Sequence, residues 1–287
     1  MTAASDLAFG LTTAAGYGTG DFLARQASHR IGHLSVLFYM ELIGMVILLP
    51  VAVWFESSRW EATTMWLWLV VLGSINLVAS LFLYKSFEYG VLSVVSPLAS
   101  SYPAVTAALA IVFLGDRPGG LASLGIVAVL SGIMWLSRSR VHPANPAAKD
   151  PRVGIVSAFV AFAGYGVFYF ALKYPVVELG PVTSAAVSRL VGVMILLAVA
   201  VGGRSIGRPP RGLVSSLLAI GVVDSLAFLA YNVGIQGGSV AVVGTLSGLF
   251  SAVTVGLAVA ILRERLTWPQ YAGVAAIFVG VALLAIR

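Results

Sequence analysis

Three ionisable residues stand inside long apolar stretches of this chain: Glu41, Arg189 and Asp224. A charge at the centre of a membrane-crossing helix costs about 2.5–3.5 kcal/mol on insertion scales, so a charge retained there is a candidate for binding or transfer chemistry. Arg189 carries a planar fork that takes a carboxylate bidentately. Glu41 supplies the complementary charge for an ammonium. The two could hold the ends of a small zwitterion, or form a salt bridge that locks two helices together. Asp224 is a candidate for proton coupling or for meeting a cationic group, the alternative being a polar residue tied to a neighbouring helix.

Tyr17, Tyr165, Tyr84, Tyr102, Asn76 and Asn232 complete the candidate substrate-binding set. A tyrosine offers a flat ring and a hydroxyl, which suits aromatic or amphipathic solutes. An interfacial aromatic belt is the competing use, and it fits Trp60, Trp66, Trp68 and Trp268 well. Tyr17 and Tyr165 lie about ten residues inside their helices, deep enough to line a cavity. Asp21 and Arg25 are read as an i,i+4 ion pair at a helix end, outside the site. His29, His33 and His142 fall in loops or at helix ends, and no H-E-x-x-H or nucleotide-binding loop is present. No enzymatic activity, metal or cofactor is therefore expected. The chain has no cysteine, which excludes disulfides and thiolate chemistry.

The elements that must position these residues follow from composition. Of 287 residues, 59% are hydrophobic and 10% charged, against about 25% charged in a soluble domain. A bilayer-spanning helix takes about 20 mostly apolar residues. Ten segments qualify, near 6–24, 34–55, 66–87, 91–114, 120–137, 153–173, 181–201, 212–235, 239–262 and 269–286. The polar, proline-containing stretch 138–152 separates a first unit, 1–137, from a second, 153–287.

The two units are a repeat. Moving the first by 148 positions lays Ala15-Gly16-Tyr17-Gly18 on Ala163-Gly164-Tyr165-Gly166 and Ala104-Val105-Thr106 on Ala252-Val253-Thr254. Gly44 falls on Gly192, Gly73 on Gly221, Gly125 on Gly273 and Gly132 on Gly280. Roughly 30 identities align over about 120 positions, more than chance composition gives. Glu41 falls on Arg189, Asn76 on Asp224 and Tyr84 on Asn232. Five helices per unit is an odd number, so the second unit must enter the membrane from the opposite side. The expected fold is all-α, with two inverted five-helix repeats around a central cavity, an arrangement typical of secondary transporters. Inversion would put Glu41 and Arg189 about 10 Å apart in depth, each about seven residues inside its own helix. Pairs such as Gly16/Gly20, Gly234/Gly238 and Gly244/Gly248, and the two glycines each of helices 5 and 10, suit close helix contact. Pro97 and Pro103 interrupt the fourth segment.

Glu264-Arg265-Leu266-Thr267 followed by Gln270 and Gly273 is similar to the E-R-x-T-x-x-Q-x-x-G signature of the EamA branch of the drug/metabolite transporter superfamily. Asp116-Arg117 with Gly125 resembles a degenerate copy, and Ser188-Arg189-Leu190 resembles the R-L pair of the second helix of a unit. The first helix of each unit has Gly-Tyr-Gly where many relatives carry Trp-Gly. The resemblance implies a ten-helix fold and export or exchange of small metabolites.

The expectation is a secondary carrier of amino acid-like or amphipathic solutes working by alternating access, with protons as a candidate coupling ion. Proton-coupled efflux of cationic amphiphiles is the alternative. Expected partners are the solute and membrane lipid, with no nucleic acid, in a monomer or homodimer of the inner or plasma membrane. Orientation is contested. Arg25, Arg30, Lys85, Arg138, Arg140, Lys149, Arg152, Arg204, Arg208, Arg211, Arg263 and Arg265 fall on odd-numbered connections, and Arg59, Arg117 and Lys173 on even ones. The positive-inside rule then puts both termini outside, whereas the resemblance implies that they are cytoplasmic.

Overall fold

The computed structural model describes residues 3–61, 63–89, 101–137, 150–202, 206–250, 252, 253, 257, 261 and 268–285. These form helices, with no strand among the described residues: α1 Ala3–Ile31, α2 His33–Glu56, α3 Met65–Tyr89, α4 Tyr102–Phe113, α5 Gly120–Ser137, α6 Pro151–Ala171, α7 Lys173–Leu179, α8 Pro181–Val201, α9 Val214–Gly237, α10 Val240–Ser247 and α11 Trp268–Ala285. Their ends follow local chemistry. Asp150 caps α6 by accepting from the amides of Arg152 and Val153 at 2.9 and 3.3 Å, with Pro151 in the first turn. Gly180, at φ 102°, turns the chain into α8.

One local expectation changes and another is met in part. Pro103 sits in the first turn of α4, so a helix starts inside the expected 91–114 segment; Pro97 lies outside the described residues. The single segment expected over 153–173 continues as a second short helix, α7, after a break at Leu172. Pro175 supplies the cause, because its ring cannot donate to the Ala171 carbonyl and would clash with it.

The repeat is visible in the element boundaries. The 148-residue shift carries Ala3 and Ile31 onto Pro151 and Leu179, the bounds of α6 with α7. It carries Tyr89 to Gly237, and Gly120 and Ser137 to Trp268 and Ala285.

Packing among the described residues runs mainly between the two units: α1 against α9, α3 against α6, α2 against α8, and α5 against α11. Each of these pairs is antiparallel. Along α1 and α9, Gly238 meets Asp6, Gly234 meets Phe9 and Gly16 meets Ala227. Along α2 and α8, Glu56 reaches Val182 and Thr183 while Tyr39 bonds to Gly207 beyond the far end. The contacts are reciprocal under the shift. Gly16 lies on Ala227 as Gly164 lies on Ala79, and Gly18 lies on Val253 as Gly166 lies on Val105. Exchange of the two units therefore maps the packing onto itself, which defines a pseudo-twofold axis across the helices.

Five described segments are long and apolar enough to cross a bilayer: His33–Arg59, Met65–Leu83, Arg152–Leu179, Pro181–Val201 and Arg211–Gly237. The outward faces carry bare apolar side chains such as Trp54, Phe55, Phe113, Val201 and Phe278, as lipid contact requires. The protein is an integral membrane protein. Helix α1 is as long but holds three threonines and four charged residues, and it packs inward on α9 and α10. Two ends of the bundle can be distinguished. The start end holds the beginning of α1 and the end of α2, and the linker end holds Ser137 and Pro151.

Candidate functional site

The antiparallel crossing of α2 and α8 brings the charged residues together. Each charge lies over a glycine of the other helix. Arg189 packs on Gly44 and Glu41 on Gly192, and these two contacts are equivalent under the repeat. The glycines leave room for long side chains between closely set backbones, so the expected depth difference is spanned and the two groups meet directly. Arg189 Nη1 stands 3.3 Å from Glu41 Oε2. Its other terminal nitrogen, Nη2, donates to Asp224 Oδ2 on α9. The guanidinium carbon lies 5.1 Å from the centroid of the Phe228 ring, one turn beyond Asp224. Glu41 and Arg189 are buried, at 1% and 4% exposure, and Asp224 is nearly so at 13%. A buried guanidinium held by two carboxylates and a ring face is well compensated, which a lone charge would not be. Its Nε makes no hydrogen bond.

These groups line a cavity of about 90 Å³ with Tyr17, Asp21, Asn76, Ser80, Tyr102, Tyr165, Phe168, Tyr169, Phe228 and Phe250. Tyr102 stacks on Tyr169 at 5.1 Å between centroids, and Tyr17 meets Tyr169 edge-on at 6.3 Å. Tyr165 donates to Ser80 Oγ at 2.8 Å, fixing its ring across the α3–α6 contact. The cavity leans toward the linker end, since Asp21 and Leu83 lie in the later halves of α1 and α3, and Leu37 and Met40 in the first half of α2.

Of the expected site residues, Glu41, Arg189, Asp224, Asn76, Tyr17, Tyr165 and Tyr102 line the cavity. Asn232 does not. It is buried, and its amide donates to the Pro181 carbonyl at 3.0 Å, tying α9 to the start of α8. The side chain of Tyr84 lies outside the described residues. Asp21, read as an interfacial ion-pair member, faces the cavity one turn beyond Tyr17; the side chain of Arg25 lies outside the described residues. Tyr169 was also missed. It is the repeat counterpart of Asp21, so an i,i+4 step from each Gly-Tyr-Gly would have found both. Trp60, assigned to the lipid interface, instead reaches across the two units and donates to Thr183 Oγ1 at 3.0 Å.

Among the described residues, the lining thus holds three carboxylates, Asp21, Glu41 and Asp224, and one guanidinium, that of Arg189. Two of the three are engaged by Arg189. The aromatic walls present electron-rich faces and the surplus acid presents negative charge.

Comparison with known proteins agrees with this architecture. The family model described as the EamA-like transporter family matches residues 5–138 and again 152–286. An uncharacterized protein of Methanocaldococcus jannaschii, MJ1333.1, is 28% identical over 130 residues, which is 45% of this chain and 94% of that protein. That relative is therefore about the size of one unit. A protein of known crystal structure shares the fold, with a TM-score of 0.82, 17% identity and 100% of both chains covered.

Proposed function

We propose, from the premise that this chain belongs to the EamA-like transporter family, that it is a secondary carrier of small organic solutes bearing a positively charged amine. The family makes it a membrane transporter and points away from enzymatic activity. The chain crosses the bilayer ten times, as two five-helix units, residues 1–137 and 153–287, joined by the 138–152 linker and inserted in opposite directions. The antiparallel pairing of equivalent helices supports that inversion. Alternating access then amounts to rocking one unit on the other about the pseudo-twofold, with the solute held near the middle.

The observation that carries the substrate class is the excess of carboxylate over guanidinium in an aromatic-lined cavity. Arg189 serves as an internal counter-ion for Glu41 and Asp224, and Asp21 is the acid left to meet a cation. Tyrosine faces at Tyr17, Tyr102 and Tyr169 add cation–π attraction. Protons compete for the same carboxylates, which gives a route to coupled export. A second reading rests on the longer of the two Arg189 contacts, the 3.3 Å pair with Glu41. An amino acid-like zwitterion could part that pair, with its carboxylate on Arg189 and its ammonium on Glu41.

Counterflow in proteoliposomes tests both. The panel contains an aromatic monoamine, a quaternary ammonium, a neutral aromatic amino acid and an aromatic carboxylate, each with and without a pH gradient. Flux of the two cations supports the proposal and flux of the amino acid alone supports the second reading. Flux confined to the carboxylate overturns both.

A further inference from the structure

At the start end, acidic side chains of the first unit cap helices of the second. Glu56, the last residue of α2, accepts from the amides of Val182 and Thr183 in the first turn of α8, at 3.2 and 2.7 Å. Asp116, in the connection after α4, accepts from Ser239 Oγ and the Ala241 amide at the start of α10, both at 2.9 Å. Asp6 on α1 accepts from the Ser239 amide at 3.3 Å. Thr63 donates to Glu178 across the same boundary. A helix start leaves its first amides without partners, and a carboxylate there both satisfies them and favours the helix dipole. Each of these bonds crosses from one unit to the other.

A side chain on Gly180, which has φ 102°, would run into the Glu56 carboxylate, so this cap sits tightly against the turn that leads into α8. At the linker end the described contacts include Gly207, which donates its amide to Ser35 and accepts from Tyr39, and the Asp150 amide, which donates to the Tyr89 carbonyl at 3.2 Å.

We infer that Glu56 and Asp116 form a latch that shuts the start end, so that the cavity, which leans toward the linker end, opens there while the latch holds. The latch rests on the alternating-access reading above. It assigns Asp116, the acid of the first-unit copy of the Asp/Glu-Arg pair, to gating between units. Each cap is worth about a fivefold shift in an opening equilibrium.

Single-cysteine labelling tests this directly, because the native chain has no cysteine. Thr13→Cys reports the start-end route: Thr13 is buried one turn from Tyr17 toward the start of α1. Ser80→Cys reports the cavity from the linker end. With an impermeant maleimide, Glu56→Gln combined with Asp116→Asn raises labelling at position 13 about tenfold or more and slows labelling at position 80. No change at either position overturns the latch, and so does faster labelling at both, which signals general loosening. Should that variant fail to fold, a disulfide between Thr63→Cys and Glu178→Cys decides. The oxidised protein keeps full labelling at position 80, and loss of that labelling overturns the proposal. Neither arm needs a substrate, so a carrier that moves none of the panel solutes would count against the function and leave the latch to be judged by labelling.

Discussion

Arg189 is the residue on which the site's electrostatics turn. It holds Glu41 and Asp224 together at a largely buried position on the cavity wall. Removing the guanidinium leaves two facing carboxylates with no compensation, a change that costs about 3–5 kcal/mol. Arg189→Gln should therefore lower the detergent melting temperature sharply, and adding Glu41→Gln and Asp224→Asn should restore most of the loss. A melting point for the triple variant no better than for Arg189→Gln would show that the charge cluster is not the cause. Asp21 has the opposite profile, since it faces the cavity and Arg189 does not hold it. Asp21→Asn should leave the melting temperature nearly unchanged and reduce cation counterflow about tenfold or more, the scale of losing one charge-assisted contact. Equal flux in the two proteins would remove Asp21 from the site. The three central charges were legible in the sequence because apolar neighbours made their cost plain. Asp21 was not, because the apolar stretch ends near residue 24 while the helix continues to Ile31. That continuation moves Asp21 from a helix end to a cavity wall.

At the level of elements, glycine sets how closely helices approach. On the α5–α11 contact, a side-chain carbon on Gly132 would stand 2.7 Å from the Gly273 carbonyl oxygen, and one on Gly280 would stand 2.8 Å from that of Gly125. These are backbone atoms that cannot swing aside. Gly132→Ala should cost about 1–3 kcal/mol, as overpacking does, and the loss should appear in thermal unfolding. Gly120→Ala is the control, because nothing lies within 4 Å of the added carbon; the change there should stay within about 0.5 kcal/mol. Equal effects at the two positions would mean that helix propensity, not contact, governs both. The spacing of these glycines already marked one face of each helix in the sequence. What spacing could not supply was the partner, because a glycine records closeness without saying to what. The α6–α7 break was hidden for a related reason: the residues around Pro175 are apolar enough to read as a continuous span, and the break comes from one missing donor.

For the whole molecule, the exchange of charge at one repeat position carries the most consequence. Described contacts lie mainly between units, so each unit alone exposes the faces of α1, α2, α3 and α5, or of α6, α8, α9 and α11, that the other covers. Two copies of the first unit, inserted in opposite directions, would reproduce most of the glycine contacts. They would also set Glu41 against Glu41 where Arg189 now stands, and two copies of the second would set Arg189 against Arg189. Like charges brought together away from water are strongly disfavoured, so the sequence selects the unlike pairing, a device that separates intended from unintended assembly. Residues 1–137 and 153–287 produced as separate chains should accordingly co-purify as a 1:1 complex with a cooperative melting transition, and neither should give a monodisperse particle alone. The charge argument makes a sharper demand on the first unit, since Glu41→Gln removes the repulsion. That variant should form a homodimer on gel filtration with light scattering, and the unmodified unit should not. A stable homodimer of the unmodified first unit would show that glycine packing alone directs assembly and that the Glu41–Arg189 exchange serves the solute instead.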